Sequence, residues 1–481
     1  MVMGVLELNQ LGWLLPLGLV LLHVAGGLHI LHVLMNGRTA QGTSAWIVSM
    51  IAVPWLAMPF YWIAGRRRFS GYIHTRRAED AELRRISDDL HRRVREFSVA
   101  PSDRFGRAAE HLGGLPFTRG NWLELLIDGK ATFAALFEAI VRAQDYLLIN
   151  FFIVKNDEMG RQFQQLLIER ARAGVRVYFL FDEIGSHKLS GDFLQEMKDA
   201  GVECYSFGVN RHWWSRLQIN FRNHRKIVVV DGEEAYLGGL NLGEEYLGQD
   251  ARFGGWRDTH LRLRGPSVQA VQLVFLEDWN WATGSPPPDL CWEGAPEEAD
   301  QRAVILPTGP ADRADSWQLV VVEAANTAEK CLWLASPYFV PDMGVLTALQ
   351  AAALRGVDVR ILLPEKADHF TVWLAAFSFY GDVLPYGIRI MRYHAGFMHQ
   401  KVMLVDDRYA FVGSANIDNR SFRLNFEVTA LSTDEVFIAE VTRMLERDFE
   451  QARAAKIEDL EERPIWFRLL VQVARLFSPV L

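Results

Sequence analysis

The chain has 481 residues, of which 50% are hydrophobic and 12% aromatic, and this composition excludes a disordered protein. Its length exceeds the size at which a single core usually stops growing, so two packed units with appendages are predicted. The formal net charge of −8 argues against a nucleic-acid partner, because proteins that track phosphate backbones carry a basic surplus.

Two uncharged segments open the chain. Residues 11–35 and 45–64 contain no Lys, Arg, Asp or Glu, and each is long enough to cross a hydrocarbon core of about 30 Å as a helix. The connector 36–44 is short and polar, so a transmembrane hairpin is predicted over residues 1–65. A cleaved signal peptide is the alternative for the first segment. The lack of a preceding basic residue and the second segment directly behind it favour the hairpin.

Basic residues predict the orientation of this hairpin. Arg66, Arg67 and Arg68 directly follow the second segment, whereas the connector contains only Arg38. The positive-inside rule therefore places the amino terminus and the large carboxyl-terminal part on the cytoplasmic side. Residues 66–115 carry charges of both signs and predict a helical linker with a solvated face. Contact of its arginines with anionic headgroups is the alternative.

From residue 116 onward, buried strands and amphipathic helices alternate, and the same order occurs twice. A strand, a helix and a strand are predicted at 145–154, 162–173 and 175–181, and again at 330–340, 343–355 and 357–364. Apolar strands between helices predict mixed or parallel sheets covered on both faces. The predicted fold class is therefore α/β, with two similar lobes at 116–285 and 300–460. The Pro-rich loop 283–300 is the seam, and an apolar helix is predicted over 461–481.

Two stretches of the chain carry the same residues at the same spacing. The first contains His224, Lys226, Asp231, Gly238, Gly239 and Asn241, and the second contains His399, Lys401, Asp406, Gly413, Ser414 and Asn416. The second stretch follows the first by 175 residues at every position. On a strand, residues i and i+2 project to one face, so each histidine and its lysine should point the same way. Gly239 stands where the second stretch has Ser414, so the two stretches are not equivalent.

Brought together, the two stretches would form a site for phosphoryl transfer. One imidazole attacks phosphorus, while the other protonates the leaving alcohol and later deprotonates the incoming one. The side chains predicted to hold the non-bridging oxygens are those of Lys226, Lys401, Asn241 and Asn416. Since the lysines neutralise the phosphate charge, neither a metal nor another cofactor is expected.

Four carboxylates accompany the motifs. Asp258 and Glu427 follow their histidines at broadly similar distances, and they are predicted to orient the rings by accepting a hydrogen bond from Nδ1–H. Asp231 and Asp406 stand where the motif strands end. They either take part in catalysis with the histidines and lysines or cap turns.

A basic, aromatic loop precedes the first motif. Arg211, Arg216 and Arg222 in this region either bind a second phosphate or form a solvated loop. The pair Trp213–Trp214 either dips into lipid or packs against the protein.

The double motif resembles that of the phospholipase D superfamily, and the whole chain is similar to the bacterial cardiolipin synthases of that superfamily. Other segments that resemble the family are 181–186, 336–342, 416–422 and the apolar end 466–481. The resemblance implies that two phosphatidylglycerol molecules are condensed into cardiolipin and glycerol through a phosphatidyl-histidine. By analogy, His224 is the nucleophile and His399 the acid and base. It also implies a multi-pass protein of the bacterial inner membrane, with phospholipids and the membrane as partners and the lobes on the cytoplasmic side.

Other functions stay open at this point. A phospholipase D that hydrolyses phospholipids to phosphatidic acid needs the same residues, and a membrane-anchored scaffold with a relict site is an alternative from another class. A nuclease of the superfamily fits poorly with the apolar segments and the net charge. The donor stays open between phosphatidylglycerol and phosphatidylethanolamine. The terminal helix, with Trp466, Phe467 and Leu469 beside Arg468, either lies on the membrane surface or packs on the lobes.

Overall fold

A computed structural model describes residues 3–37, 40–65, 81–101, 103–208, 220–250 and 252–481. The described residues of 1–71 and 209–221 form a first unit, and those of 72–208 and 222–481 form a second. Most of the residues that predict the orientation of the hairpin and the contacts of the basic loop lie outside the described part of the chain. They are Arg38, Arg66, Arg67, Arg68, Arg211, Trp213, Trp214 and Arg216, whereas Arg222 is described.

The first unit is helical. It contains α1 (Met3–Asn36), α2 (Ala40–Ala52) and α3 (Pro54–Phe60), followed by a π-helical turn over Tyr61–Gly65. Val33, Met50 and Ala57, one from each helix, are buried in a single cluster, so the three helices pack against one another.

The predicted two-span hairpin differs from the structure in its second part. Among the described residues, one helix, at Pro16–Asn36, is long and apolar enough to cross a membrane. The second apolar segment is divided between α2 and α3. Pro54 has no N–H for the helical ladder and restricts the residue before it, and Val53 accordingly has φ −142° and ψ 63°.

The second unit begins with the charged linker, which contains α4 (Ala81–Arg93) and α5 (Arg104–Gly113). Leu83 and Leu90 of α4 are buried, whereas Arg84 and Arg85 are exposed. The arginines of α4 thus lie on its solvated face.

The first half of the α/β region alternates strands and helices. Its strands are β1 (Thr118–Ile127), β2 (Tyr146–Phe151), β3 (Arg176–Asp182), β4 (Glu203–Phe207), β5 (Arg222–Asn223), β6 (Ile227–Val230), β7 (Glu234–Gly238), β8 (Trp256–Arg257) and β9 (Thr259–Arg264). Its helices are α6 (Asp128–Arg142), α7 (Glu158–Arg172), α8 (Gly191–Asp199) and α9 (Ser267–Thr283).

The second half repeats this alternation. Its strands are β10 (Gln301–Thr308), β11 (Cys331–Ala335), β12 (Phe339–Val340), β13 (Asp358–Pro364), β14 (Arg389–Tyr393), β15 (Phe397–Met398), β16 (Val402–Val405), β17 (Tyr409–Gly413), β18 (Ile417–Asp418), β19 (Asn425–Ser432) and β20 (Ala452–Ala454). Its helices are α10 (Ser316–Thr327), α11 (Met343–Leu354), α12 (Phe370–Phe377), α13 (Tyr380–Val383), α14 (Asn419–Arg423), α15 (Glu435–Glu450), α16 (Glu458–Glu461) and α17 (Ile465–Leu476).

The long strands form one mixed sheet in the order β20-β14-β13-β11-β16-β17-β19-β10-β1-β9-β7-β6-β2-β3-β4. In both halves three parallel strands, β2-β3-β4 and β11-β13-β14, lie beside an antiparallel motif strand, β6 or β16. The α/β class and the two similar halves are therefore confirmed. The halves are joined by the loop 283–300 and also by antiparallel pairing of β1 with β10. Each half buries its own apolar cluster, around Phe163 in the first and Leu349 in the second.

Two short strand pairs cross between the halves. β5 pairs in parallel with the start of β19, and β8 pairs in parallel with β15. The N–H of His224 donates to the carbonyl of Phe426 at 2.9 Å. The N–H of His399 donates to the carbonyl of Arg257 at 2.8 Å. Each histidine therefore lies beside a strand of the opposite half, just before β6 or β16 rather than within it.

Candidate active site

Each motif histidine is hydrogen-bonded to a carboxylate of the opposite half. His224 Nδ1 lies 2.9 Å from Glu427 Oε2, and His399 Nδ1 lies 2.8 Å from Asp258 Oδ2. The order of residues along the chain suggests the reverse pairing, of each histidine with the carboxylate that follows it. That pairing is wrong because β19 runs beside the first histidine and β8 beside the second.

Both histidines face one cavity. The cavity has a volume of about 610 Å³, and His224 and His399 in its wall are 8% and 7% exposed. The wall also contains Phe152, Asn241, Trp256, Tyr338, Asn416 and Arg420. The structure thus places the two motif histidines in the wall of one cavity.

The two lysines lie behind the histidines. Lys226 is fully buried, and its Nζ donates to the carbonyl of His224 at 2.5 Å. Lys401 Nζ donates to the carbonyl of His399 and lies 2.9 Å from Nδ1 of that ring. Each ammonium group is therefore held at the backbone carbonyl of its own motif histidine, and its contact with phosphate oxygens stays a prediction.

Burial sets the protonation of the histidines. It lowers the pKa of His224 to about 4, an effect that Glu427 opposes and Lys226 strengthens. Burial and the charge of Lys401 also lower the pKa of His399, against the hydrogen bond to its carboxylate. His224 is consequently a neutral imidazole at neutral pH, and a neutral imidazole is the form that attacks phosphorus.

Burial acts on the lysines in the same direction. It lowers the pKa of Lys401 to about 8, although Asp258 and Glu427 oppose the shift. It holds the pKa of Lys226 well below the ordinary value, and repulsion from Lys401 adds to this effect. An anion bound near these two lysines would offset the cost of burying their positive charges, as expected of a site that binds phosphate.

The two carboxylates are held by different donors. Ser414 Oγ donates to Glu427 Oε2 at 2.6 Å, and a second serine hydroxyl, of Ser421, donates to Oε1 at 2.8 Å. The first half has Gly239 in place of Ser414, and a Cβ atom there would lie 2.0 Å from Asp258 Oδ1. Asp258 Oδ1 accepts instead from the N–H of the next residue at 2.8 Å. The predicted inequality of the two halves thus has a steric cause.

The two asparagines border the cavity. Asn241 Oδ1 accepts from the N–H of Ile153 at 3.1 Å, and Asn416 Nδ2 donates to Asp418 Oδ2 at 3.2 Å. These bonds orient both amides at the cavity wall. Their contact with phosphate oxygens remains a prediction.

Asp231 and Asp406 lie at the other end of the motif strands. Asp231 accepts from three consecutive N–H groups, of residues 144–146, and Asp406 accepts from those of residues 329–331. Both have left-handed backbone, with φ of 53° and 52°. A strand separates each of them from its histidine, and each carboxylate fixes the start of a neighbouring strand. These contacts favour the turn-capping alternative, and the catalytic role stays a prediction.

Several groups in the cavity wall were not identified from the sequence. The ring of Phe152 lies 4.9 Å from that of His224, and the ring of Trp256 lies 5.3 Å from that of His399. The hydroxyl of Tyr338 donates to Asp368. Tyr338 lies in the segment 336–342 that resembles the family, so the sequence points to it. Asp368 lies outside every motif, so the sequence does not.

Comparison with known proteins identifies the family. Residues 136–252 and 321–452 match the family model described as cardiolipin synthase, PLD-like domain. Cardiolipin synthase A of Pseudomonas entomophila (strain L48) is 44% identical over 466 residues, which are 96% of this chain and 97% of that protein. Cardiolipin synthase A of Pseudomonas fluorescens is 42% identical over 468 residues, 96% of this chain and 98% of that protein.

A solved structure shares the fold. The phosphatidylserine synthase of Haemophilus influenzae Rd KW20 superposes with a TM-score of 0.59 at 15% identity, covering 79% of this chain and 100% of that one. The sequence comparisons reach further than this likeness, because they extend over almost the full length at more than 40% identity. The chain therefore belongs to the cardiolipin synthase family of phospholipase D-like proteins.

Proposed function

We propose that this phosphatidyltransferase condenses two phosphatidylglycerol molecules into cardiolipin and glycerol, with His224 and His399 as the reacting groups. The carrying observation is that both rings face one cavity while each Nδ1 is bound to a carboxylate. With Nδ1 occupied, Nε2 is the nitrogen of each ring that is left for chemistry at phosphorus.

In the first half-reaction His224 acts as the nucleophile. Its low pKa leaves the Nε2 lone pair free to attack the phosphorus of one phosphatidylglycerol. The bond between phosphorus and the glycerol oxygen breaks, and the protonated His399 gives its Nε2 proton to that oxygen. Asp258 opposes the burial that lowers the pKa of His399, and so stabilises the imidazolium form that gives up this proton. The products are a phosphatidyl-histidine and free glycerol.

In the second half-reaction His399 acts as the base. It takes a proton from a headgroup hydroxyl of a second phosphatidylglycerol, and the oxygen attacks phosphorus. The phosphorus–nitrogen bond to His224 breaks, and cardiolipin is released. Both rings return to their starting protonation states. Lys226 and Lys401, with the two asparagines, would stabilise the charge on the non-bridging oxygens in both steps.

Product analysis tests this function. Purified enzyme with labelled phosphatidylglycerol should give cardiolipin and glycerol in equal amounts, and His224→Ala should abolish both products. Phosphatidic acid as the main product would favour a hydrolase, and lack of turnover with every phospholipid would favour a scaffold. Labelled phosphatidylethanolamine in a parallel reaction decides which donor is used.

The membrane topology is a further part of the proposal. Helix α1 would anchor the enzyme in the bacterial inner membrane, and α2 with α3 would make a second, proline-broken crossing, since neighbouring helices make such breaks tolerable. Arg66, Arg67 and Arg68 in the sequence support a cytoplasmic catalytic unit. Protease should then remove this unit from inside-out vesicles and spare it in right-side-out vesicles. The reverse pattern would contradict the orientation.

A further inference from the structure

Cardiolipin formation, as set out in the proposed function, brings two phosphates into one cavity. The donor phosphate reacts at His224. The acceptor lipid carries its own phosphate, one glycerol length from the hydroxyl that attacks. Two anions at this separation repel each other in a site of low dielectric constant unless a second cationic group lies beside the acceptor. The motif lysines are bound to the carbonyls of their own histidines, and the proposed function assigns them to the reacting phosphate.

Three arginines line the same cavity, Arg222, Arg252 and Arg420. Arg252 is exposed and bonded to Asp250, whereas Arg222 and Arg420 are not exposed. Arg222 precedes the first motif histidine by two residues, is buried, and has its Nη2 3.1 Å from Asp182 Oδ1. Arg420 lies in α14, and its Nη1 donates to the carbonyl of Val480 at 3.1 Å. These bonds fix both side chains in the wall.

The two guanidinium groups influence each other. Burial lowers the pKa of Arg420, repulsion from Arg222 adds to the effect, and Asp418 opposes it. Asp182 beside Arg222 and Asp418 near Arg420 offset part of the cost of holding two like charges in one wall, and a bound anion would offset more of it. An arginine stays charged in such a place, and its planar fork can bind two phosphate oxygens at once.

We propose that Arg420, with Arg222 beside it, binds the non-reacting phosphate of the acceptor lipid. The pair would hold the acceptor so that its headgroup hydroxyl meets the phosphatidyl-histidine, which favours transfer to a phospholipid over transfer to water or to free glycerol. Both arginines are therefore acceptor-binding groups, distinct from the histidines and lysines that act on the donor.

Two reactions of one enzyme test this assignment. Cardiolipin formation needs the acceptor phosphate, whereas exchange of labelled free glycerol into phosphatidylglycerol uses the same phosphatidyl-histidine with an acceptor that has none. For Arg420→Gln, the ratio of cardiolipin formation to glycerol exchange should fall at least about tenfold, and the KM for the acceptor lipid should rise. Arg420→Lys should give an intermediate ratio, because the charge remains but the fork is lost.

Arg443→Gln is the matched control. Arg443 is exposed on α15, and its Nε bonds within that helix, to the carbonyl of Ala439 at 3.2 Å. Its variant should keep the wild-type ratio. An unchanged ratio in Arg420→Gln, or equal loss of both reactions with the melting temperature preserved, would overturn the assignment. Wild-type enzyme that exchanges glycerol but makes no cardiolipin would instead contradict the proposed function.

Discussion

Glu427 and Asp258 each belong to one half of the chain and hold the histidine of the other half. The chemistry of His224 therefore depends on a residue about 200 positions away in sequence, and so do the tautomer and the orientation of its ring. Removing either carboxylate affects one histidine and spares the other. The two roles can be separated experimentally for this reason.

A phosphatidyl donor with a p-nitrophenol leaving group separates the two roles. Its leaving group departs as an anion without being protonated, so the first step needs the nucleophile but not the general acid. Glu427→Gln should slow the burst of p-nitrophenol by about a hundredfold or more, since the nucleophile loses its tautomer. Asp258→Asn should keep most of the burst, because only the acid is affected. With phosphatidylglycerol as donor, both variants should be severely impaired. Pairing within each half would give the opposite result, with the burst lost in Asp258→Asn.

Lys401 predicts an alkaline limit of activity. Its pKa is lowered by burial to about 8, so the folded enzyme loses this positive charge as the pH rises through that value. We expect kcat/KM to fall above about pH 8 as phosphate binding weakens. Arginine does not titrate in this range, so Lys401→Arg should be slower overall and free of the fall. If the Lys401→Arg enzyme showed the same alkaline fall in kcat/KM, a group other than Lys401 would be responsible for the fall.

Asp231 predicts a loss of stability without a loss of chemistry. Asp231→Ala would leave three N–H groups without their acceptor and place alanine at a positive φ, at a cost of roughly 2–3 kcal/mol in the free energy of unfolding. Asp231→Asn should cost less, because asparagine tolerates this φ and keeps one oxygen. Denaturant titration measures the loss, and kcat per folded enzyme should stay near the wild-type value. Full stability with lost turnover would favour the catalytic role instead.

At the scale of elements, helix α17 has two apolar faces. Phe467 and Val471 are buried, and the ring of Phe467 lies 5.7 Å from that of Phe377 in α12. Trp466 and Leu469 on the other face are 59% and 60% exposed. Residues at the start of α12 and the segment after α17 both line the catalytic cavity, so this open face adjoins its wall. The two alternatives for the terminal helix thus apply to different faces, and we propose that the open one contacts lipid.

Leu469→Glu tests the lipid contact. Cardiolipin formation in proteoliposomes should fall several-fold because the charge opposes insertion at the interface, while the melting temperature should not change. Activity on dispersed short-chain phosphatidylglycerol should be retained. Val471→Glu is the matched control, since this residue is 0% exposed and its variant should lose stability. Full activity of the Leu469→Glu enzyme in proteoliposomes would contradict a lipid contact. Dissociation of an oligomer in this variant would also contradict it, because the exposed face would then be a subunit contact.

Elements with strong local signals were predictable from sequence, and those fixed by distant pairing were not. The apolar runs at β2 and β3 predict strands because their side chains are buried on both faces. The apolar run 45–64 predicts a single helix, whereas Pro54 divides it between α2 and α3. The two-residue strands β5 and β8 have no periodicity of their own, although they lie where each carboxylate meets the opposite histidine.

At the scale of the whole molecule, the repeat is visible in both sequence and sheet. The 175-residue offset predicts two similar halves, and the strand order shows them. The pairing of β1 with β10 joins the halves into one sheet. The hydrophobic pattern does not predict this pairing, because it shows which face of a strand is buried and not which strand lies beside it. A motif identifies the residues of a half-site, whereas tertiary contacts decide which partners complete it.

The crossed carboxylates have a consequence for the nascent chain. When the ribosome has released the first half alone, the imidazole at position 224 exists without its proton acceptor, and the acid partner has not yet been made. The paired rings and carboxylates of both half-sites exist together only in the completed chain with its halves docked. We therefore expect an immature polypeptide to lack the lipid chemistry of the finished protein.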